Sequence, residues 1–153
     1  MLTVSDGVFA GTRDDRSGDV LEARLVGAGF ELAGRRAVAD ERAEIAAALR
    51  DLAGAADLVL STGGTGFAPR DVTPEATAEV IERPTPGLDE HMRSVSIAVS
   101  PHGMLSRGRS GIRGATLIVN LPGSPKACTE LYDAIAPALE HGLRLLLDLP
   151  TSH

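Results

Sequence analysis

The fold is decided by the stretch Ser61-Thr62-Gly63-Gly64-Thr65-Gly66-Phe67-Ala68-Pro69-Arg70-Asp71-Val72-Thr73-Pro74. It follows the apolar run Asp57-Leu58-Val59-Leu60, which is typical of a buried strand. Its three glycines predict a loop with bare backbone N–H groups that an anion can approach closely. Thr73 then predicts a helix cap and Pro74 a first helical residue. A strand, a glycine loop and a helix in this order indicate a ligand site at the carboxyl edge of an α/β sheet.

Working outward, apolar periodicity predicts strands alternating with helices. The expected strands are 2–4, 30–38, 57–60 and 115–121. The expected helices are 20–28, 41–52, 74–81, 88–98 and a long one from 125 to 146, whereas 102–113 reads as a short helix and a loop. Such alternation predicts a single α/β domain over residues 1–153, with a mainly parallel sheet covered on both faces, and a frayed tail at 150–153.

The composition of the chain argues against several classes of function. The formal net charge is −6, only 3% of residues are aromatic and there is no tryptophan. An acidic chain with few stacking side chains argues against nucleic-acid binding. No apolar run approaches the ~18 residues of a membrane span, and no basic-then-apolar leader begins the sequence. One cysteine, Cys128, excludes an internal disulfide, so we expect a cytoplasmic protein without a membrane partner.

Polar loops are predicted to meet at one edge of the sheet. Ser5-Asp6, the glycine loop at 63–66 and Pro122-Gly123-Ser124 each follow a predicted strand, and Asp40 follows another. Carboxyl ends of parallel strands share one edge, so these loops are expected to line one crevice. The lysine of a P-loop and the spacing of the dinucleotide fingerprint are both absent. The common nucleotide-triphosphatase and dinucleotide-binding interpretations therefore fail.

Individual candidates also have purely structural interpretations. Asp40 stands where a helix cap is expected, and Asp71 could be a turn residue bonded to its own backbone. Since Thr73 is the better candidate to cap the helix that begins at Pro74, Asp71 is not needed as a cap and is interpreted as a candidate functional residue. Arg70 could be a solvated surface charge. The histidines have no ligand spacing and are expected at the surface, and Cys128 is expected to be a small buried group.

These residues together resemble the family of molybdenum-cofactor biosynthesis proteins that adenylylate molybdopterin, which includes the G domains of plant and animal fusion proteins. The resemblance covers essentially the whole chain in the right order. Its motifs are Ser5-Asp6, Asp15-Arg16-Ser17-Gly18, Thr62-Gly63-Gly64-Thr65-Gly66, Pro69-Arg70-Asp71-Val72-Thr73-Pro74-Glu75-Ala76-Thr77, Pro86-Gly87, Ser106-Arg107, Gly111-Ile112-Arg113 and Asn120-Leu121-Pro122-Gly123-Ser124-Pro125.

The resemblance implies a Rossmann-like three-layer α/β/α sandwich, a homotrimer or larger assembly, and hand-over of product to a molybdenum-insertion protein. It implies transfer of AMP from ATP to the terminal phosphate of molybdopterin, with release of pyrophosphate. Asp40 and Asp71 are implied as the catalytic pair that holds Mg²⁺. The implied substrate contacts are Ser5, Asp6, Thr62, Gly63, Gly64, Thr65, Gly66, Ser106, Arg107, Pro122, Gly123 and Ser124, and Arg113 is interpreted as a further anion contact.

The chemistry of the residues agrees with that assignment. Both substrates carry phosphates, and a divalent cation held by carboxylates offsets their mutual repulsion. Backbone N–H groups of Gly63, Gly64 and Gly66 are expected to hold phosphate, and a larger side chain at Gly64 is expected to fill that space. Two alternatives stay open at this point: a module that binds molybdopterin without adenylylating it, and a structural or regulatory partner of another cofactor enzyme.

Overall fold

A computed structural model describes residues 1–151; the end of the predicted frayed tail, Ser152 and His153, lies outside the described residues. In chain order the elements are β1 (Leu2–Val4), α1 (Asp6–Phe9), α2 (Arg16–Gly27), β2 (Arg36–Val38), α3 (Arg42–Ala53), β3 (Leu58–Thr62), α4 (Thr73–Ala78), β4 (Arg83–Pro84), α5 (Pro86–Val99), a 3₁₀ helix (Pro101–Leu105), β5 (Ser110–Arg113), β6 (Thr116–Leu121) and α6 (Pro125–Leu146). Among residues 1–151 no helix is both long and apolar enough to span a bilayer.

One six-stranded sheet has the order β2-β1-β3-β6-β5-β4. The first four strands of this order are parallel, and β5 is antiparallel to both of its neighbours. The register aligns Val4 with Val38, Thr3 with Thr62, and Thr62 with Leu121. The carboxyl ends of the four parallel strands therefore lie along one edge, as predicted.

Alternate residues of the central strands enter two separate apolar clusters. Leu60 and Val119 pack with α2, α5 and α6 on one face of the sheet. Val59 and Ile118 pack with α3 and α4 on the other. A parallel sheet buried on both faces requires strands that are apolar throughout, which β3 and β6 provide. This arrangement is the predicted three-layer α/β/α sandwich.

Several predicted boundaries are wrong, among them the start of α2, which lies at Arg16 and not at residue 20. The strand expected at 30–38 is reduced to β2, because β1 offers only three residues and its register matches them to Arg36–Val38. Phe30 and Leu32 pack on the core from an irregular segment instead. The helix expected at 74–81 ends at Ala78, and Val80 fills the core just beyond it.

The sequence interpretation missed the strand β5 within 102–113. This strand forms a hairpin with β6 through Gly114, whose φ of +56° suits a residue without a side chain. Its own sequence carries one large apolar residue, Ile112, so it has no recognisable alternation. Pairing with β6, and not local propensity, defines it. The short helix expected in the same region is the observed 3₁₀ helix.

Candidate active site

The glycine loop (residues 63–66) follows β3 and adopts a conformation that favours glycine. Gly63 and Gly64 have φ values of +99° and +65°. A Cβ atom on Gly63 would lie 2.2 Å from the carbonyl oxygen of Val4, and one on Gly64 would lie 2.4 Å from Thr73 Oγ1. A side chain at Gly64 would thus collide with the protein itself, so the expectation that it would fill an open phosphate space is wrong.

Thr73 braces this loop and does not cap a helix. It is the first residue of α4 and is fully buried, with Val72 in the capping position. Its hydroxyl donates to the Gly63 carbonyl over 2.9 Å, and its backbone N–H donates to the Gly64 carbonyl over 3.1 Å. The prediction of a Thr73 cap is therefore wrong, because the hydroxyl is turned back to the Gly63 carbonyl of the turn.

The loop presents part of the predicted anion-binding backbone. The N–H of Gly63 donates to the Leu121 carbonyl over 3.1 Å and is not available to a phosphate. Within residues 1–151 the N–H groups of Gly64, Thr65 and Gly66 have no acceptor. Three adjacent free donors in such a turn form an anion-binding concavity.

Two clefts flank the glycine loop. The first cleft has a volume of about 890 Å³, and the second cleft has a volume of about 520 Å³. Gly64, Gly123 and Ser124 line both clefts and form the wall between them. Ser124 also precedes α6, and its hydroxyl makes no capping bond to that helix. The positive end of a 22-residue helix therefore points at the wall that the two clefts share.

Asp40 lines the first cleft. Its Oδ2 accepts a hydrogen bond from the backbone N–H of Asp6 over 2.8 Å, and a Cβ on Gly64 would lie 3.2 Å from its Oδ1. Glu41, not Asp40, precedes α3, so the capping interpretation of Asp40 is wrong. Burial, together with the nearby charges of Asp6 and Asp71, raises the pKa of the Asp40 carboxyl.

Asp71 lines the second cleft. Its Oδ2 accepts from the backbone N–H of Ala68 over 2.9 Å, and its own N–H donates to the Ala68 carbonyl over 2.9 Å. This contact is the one expected if Asp71 is a turn residue bonded to its own backbone, and it uses one carboxylate oxygen. Among residues 1–151 the other oxygen, Oδ1, has no hydrogen-bond donor. Asp71 is therefore both a turn residue and a candidate ligand.

Asp6 and Arg70 connect the ends of the strands outside both clefts. Arg70 donates through Nε and Nη2 to both carboxylate oxygens of Asp6, over 2.7 and 2.9 Å, and through Nη2 to Glu41 over 3.0 Å. This two-point contact lowers the pKa of Asp6. Arg70 is exposed, as expected for a surface charge, and it also forms ion pairs with Asp6 and Glu41.

The donor set fits Mg²⁺ held jointly with substrate. Asp40 Oδ1 and Asp71 Oδ1 are hard oxygen donors, one facing each cleft. Within residues 1–151 no group of three or more His, Cys, Asp or Glu side chains forms a metal cage. Mg²⁺ is commonly bound by one or two carboxylates plus substrate phosphates, with water completing the octahedron. Two carboxylates without a cage match that pattern.

Comparison with known proteins identifies the family. Residues 1–141 match the family described as a probable molybdopterin binding domain. The molybdopterin adenylyltransferase of Helicobacter pylori J99 is 40% identical over 156 residues, which cover 96% of this chain and 86% of that protein. The chain belongs to the molybdopterin adenylyltransferase family. The predicted family is thus confirmed.

Two further matches define the extent of the likeness. The crystal structure of MoaB from Thermus thermophilus superimposes with a TM-score of 0.89 at 47% identity, and the match covers 99% of this chain and 96% of that one. The predicted fold is confirmed. The molybdenum cofactor synthesis protein cinnamon of Drosophila melanogaster is 42% identical over 153 residues. That match covers 97% of this chain but only a quarter of the length of cinnamon.

In this member of the molybdopterin adenylyltransferase family, Arg107 and Arg113 do not occupy the predicted anion-binding positions. Arg107 donates to the Gly66 carbonyl over 2.7 Å, contacts the Asp71 carbonyl and pairs with Glu75. Arg113 donates to the Val80 carbonyl and pairs with Glu82 at the amino-terminal edge of the parallel strands. The interpretation of Arg113 as a substrate contact is wrong, because β5 runs antiparallel and carries it away from the site.

Apart from Asp6, which lies outside both clefts and pairs with Arg70, the other predicted contacts lie on the walls of the clefts. Ser5 lines the first cleft, although its hydroxyl also caps α1 by accepting from Val8 N–H. Thr62 lines the same cleft and donates to the Pro122 carbonyl over 2.8 Å. The residues on the walls of the second cleft include Thr65, Gly66, Ser106 and Pro122. The roles of these residues toward substrate stay predictions.

The sequence interpretation gave no role to two cations of the first cleft. Arg13 and Arg16 line it, and in the described part of the chain their guanidinium groups have no hydrogen bond or ion pair. Two unpaired cations facing a cleft are suited to an anionic group. The available signal was their place in the chain, because Arg13 lies in the polar loop before α2 and Arg16 is the first residue of that helix.

Proposed function

We propose that this chain is a molybdopterin adenylyltransferase: it transfers AMP from ATP to the terminal phosphate of molybdopterin and releases pyrophosphate. The observation that carries this proposal is the pair of clefts with a common wall, together with the division of Asp40 and Asp71 between them. Asp40 faces the first cleft and Asp71 the second, and Gly64 lies between them. A reaction between two substrates needs two adjacent sites, whereas a binding module needs one.

The proposed reaction requires a site that positions the two substrates and neutralises their negative charge. An oxygen of the molybdopterin phosphate attacks the α-phosphorus of ATP, and the bond from that phosphorus to the bridging oxygen breaks as pyrophosphate leaves. Both reacting groups are anionic. Free N–H groups of the glycine loop, the amino end of α6 and the unpaired Arg13 and Arg16 all place positive potential beside the clefts.

The proposed step needs no covalent nucleophile. Cys128 is buried, and burial raises its pKa to about 11, so the thiol stays protonated at neutral pH. When bound, Mg²⁺ supplies neutralisation of phosphate charge, and Asp40 and Asp71 are the residues that would hold it. Asp6, Arg70 and the backbone of Ala68 keep those two carboxylates oriented.

A binding-only module is the alternative function. The observation that favours it is the contact between Asp71 and the N–H of Ala68, since a residue needed for a turn would be kept without any catalytic role. The two functions differ in their use of nucleotide. A module that binds only molybdopterin has no reason to bind ATP.

The test is a direct assay. Protein is mixed with molybdopterin, ATP and Mg²⁺, and both pyrophosphate and adenylyl-molybdopterin are measured, with parallel reactions containing EDTA. Formation of both products that stops in EDTA would support the transferase. Tight molybdopterin binding with no product and no ATP binding would replace it with the binding module.

We also propose a cytoplasmic location and a homotrimer or larger assembly. The single buried cysteine is consistent with a reducing compartment. Apolar side chains are exposed at the end of α5 and in the 3₁₀ helix, including Val99, Met104 and Leu105, and association would cover such surfaces. Sedimentation velocity of the purified chain tests the assembly. Hand-over of product to a molybdenum-insertion protein stays a prediction.

A further inference from the structure

Arg107 bridges the two ends of a short segment that carries Asp71. We call residues 66–71 the Asp71 loop. Arg107 Nε donates to the Gly66 carbonyl at one end over 2.7 Å, and Nη2 donates to the Asp71 carbonyl at the other. The backbone N–H of Arg107 donates to the Thr65 carbonyl over 2.9 Å, just before the loop begins. One residue thus holds both ends of the Asp71 loop.

A carboxylate fixes the guanidinium in this bridging position. Nη1 of Arg107 forms an ion pair with Glu75 on the first turn of α4. Burial alone would raise the pKa of Glu75, but hydrogen bonds from Arg107 and from its own backbone hold it below the usual range. Glu75 therefore stays ionised at neutral pH and keeps its charge-assisted bond to Arg107.

Each of the three guanidinium nitrogens of Arg107 already donates to an oxygen of the protein. Its guanidinium is planar and its donors point in fixed directions. The carbonyls of Gly66 and Asp71 and the carboxylate of Glu75 accept four of its five N–H groups, which fixes the plane of the guanidinium. Arg107 is also absent from the walls of both clefts. Arg13 and Arg16 differ from Arg107 in both respects: they line the first cleft, and within residues 1–151 their guanidinium groups make no hydrogen bond or ion pair.

Inside the Asp71 loop, the carboxylate is fixed relative to the backbone. Asp71 Oδ2 accepts from Ala68 N–H, and Asp71 N–H donates to the Ala68 carbonyl, both over 2.9 Å. A Cβ on Gly66 would lie 2.9 Å from the same Oδ2. Any movement of the Gly66 or Asp71 backbone therefore moves the carboxylate that faces the second cleft.

We propose that Arg107 is a positioning residue: it closes the Asp71 loop and thereby aims the Asp71 carboxylate into the second cleft, and it binds no substrate itself. The catalytic meaning of this role rests on the proposed function, because that function gives Asp71 its task. The structural part, closure of the loop, stands without any substrate.

The structural part is tested by amide hydrogen exchange on ligand-free protein. Arg107→Gln is expected to speed exchange of the Ala68 and Asp71 amides by about tenfold or more, because their mutual contacts lose the bridge. Arg113→Gln is the matched control: it also breaks contacts with one carbonyl and one carboxylate, but at the opposite edge of the sheet. Unchanged exchange in Arg107→Gln would overturn the proposal.

The catalytic part is tested by steady-state kinetics. Arg107→Gln is expected to lower kcat about 10- to 100-fold, with KM for ATP and molybdopterin within about twofold. Arg107→Lys should not restore kcat, since an ammonium cannot bridge two carbonyls that lie five residues apart. In an Asp71→Asn background Arg107→Gln should cause no further loss, because both changes act through one carboxylate.

Several outcomes would overturn the inference. A tenfold rise in KM for one substrate with kcat unchanged would make Arg107 a substrate contact. Full rescue by Arg107→Lys would mean that only its charge matters. If Arg107→Gln does not fold, Glu75→Gln loosens the guanidinium while it keeps both carbonyl contacts, and Glu75→Gln must then show intermediate amide exchange. If wild-type protein makes no product, the proposed function fails, whereas the exchange result still decides the role of Arg107 in the loop.

Discussion

Asp6 and Asp40 exchange two hydrogen bonds across the ends of neighbouring strands. The N–H of Asp6 donates to Asp40 Oδ2 over 2.8 Å, and the N–H of Asp40 donates to Asp6 Oδ1 over 3.0 Å. This reciprocal pair joins the end of β1 to the end of β2. It brings two carboxylates together beside the first cleft, and such a pair needs a nearby cation. Arg70 is that cation.

Removal of Arg70 should therefore affect catalysis more than stability. We expect Arg70→Gln to lower kcat roughly tenfold, because Asp6 loses its two-point contact and no longer fixes Asp40, and to change the melting temperature little, because exposed ion pairs contribute weakly. Kinetics and thermal unfolding measure both effects. Arg42→Gln is the control, since Arg42, the first residue of α3, pairs with Glu79, the residue that follows α4, away from the clefts. Equal kinetic effects of the two substitutions would contradict this role.

Gly66→Ala should displace the Asp71 carboxylate without unfolding the chain. The added Cβ would lie 2.9 Å from Asp71 Oδ2, closer than Cβ atoms normally approach another atom. We expect kcat to fall more than tenfold while the protein stays folded. Gly142→Ala is the control: it lies within α6 with open space around it, and it should raise the free energy of unfolding by about 0.5–1 kcal/mol. Undiminished kcat in Gly66→Ala would contradict the geometry.

Asp15 should make the free energy of unfolding depend on pH in the acidic range. Its carboxylate accepts from Thr3 Oγ1, Gly18 N–H and Arg35, over 2.7 to 2.9 Å. Burial would raise the pKa of Asp15, but these bonds hold it below the usual range. Because the folded-state pKa is below the unfolded one, the stabilisation is complete above about pH 4 and is lost as pH falls through the folded-state pKa.

Denaturant unfolding at several pH values measures the effect. Asp15→Asn should lower the free energy of unfolding by about 1–2 kcal/mol at pH 7. The difference in this free energy between the variant and the wild type should shrink below about pH 4. Asp14→Asn is the control, because the side chain of Asp14 is exposed and has no hydrogen bond within residues 1–151. A difference between Asp15→Asn and wild type that stays constant with pH would contradict the account.

Tyr132 should tolerate loss of its hydroxyl. In the described part of the chain this oxygen is buried without a hydrogen-bond partner. Tyr132→Phe is expected to leave the free energy of unfolding unchanged or to raise it by up to about 1 kcal/mol. Thr116→Val is the contrasting variant, since Thr116 Oγ1 lies 2.7 Å from the carbonyl oxygens of Ala53 and Ala56. This substitution should lower the free energy of unfolding by about 1–2 kcal/mol. A similar loss in Tyr132→Phe would reveal a partner for the hydroxyl.

The central sheet was predictable because its signals are local. β3 and β6 are apolar runs that end in turn residues, and such runs identify buried strands without knowledge of their neighbours. Convergence of the strand ends then follows from parallel pairing alone. β5 was not predictable, since Gly111 and Ile112 form a strand only through their pairing with β6.

The side-chain roles were harder to predict for a different reason. A guanidinium has the same sequence signature whether it binds a phosphate or a backbone carbonyl. The sequence therefore predicted Arg107 and Arg113 as anion contacts, although both bind backbone carbonyls. It predicted no role for Arg13, which lines the first cleft. The exchange between Asp6 and Asp40 joins residues 34 positions apart and required the register of β1 with β2.

The most direct test of the central claim is a comparison of turnover in wild type and Asp71→Asn. Both proteins receive molybdopterin, ATP and Mg²⁺, pyrophosphate release is measured in a single turnover, and molybdopterin affinity is measured separately. We expect Asp71→Asn to keep the fold and the molybdopterin affinity while its turnover falls by at least about a hundredfold. Turnover at the wild-type rate in a folded Asp71→Asn protein would contradict the assignment and leave Asp71 as a turn residue alone.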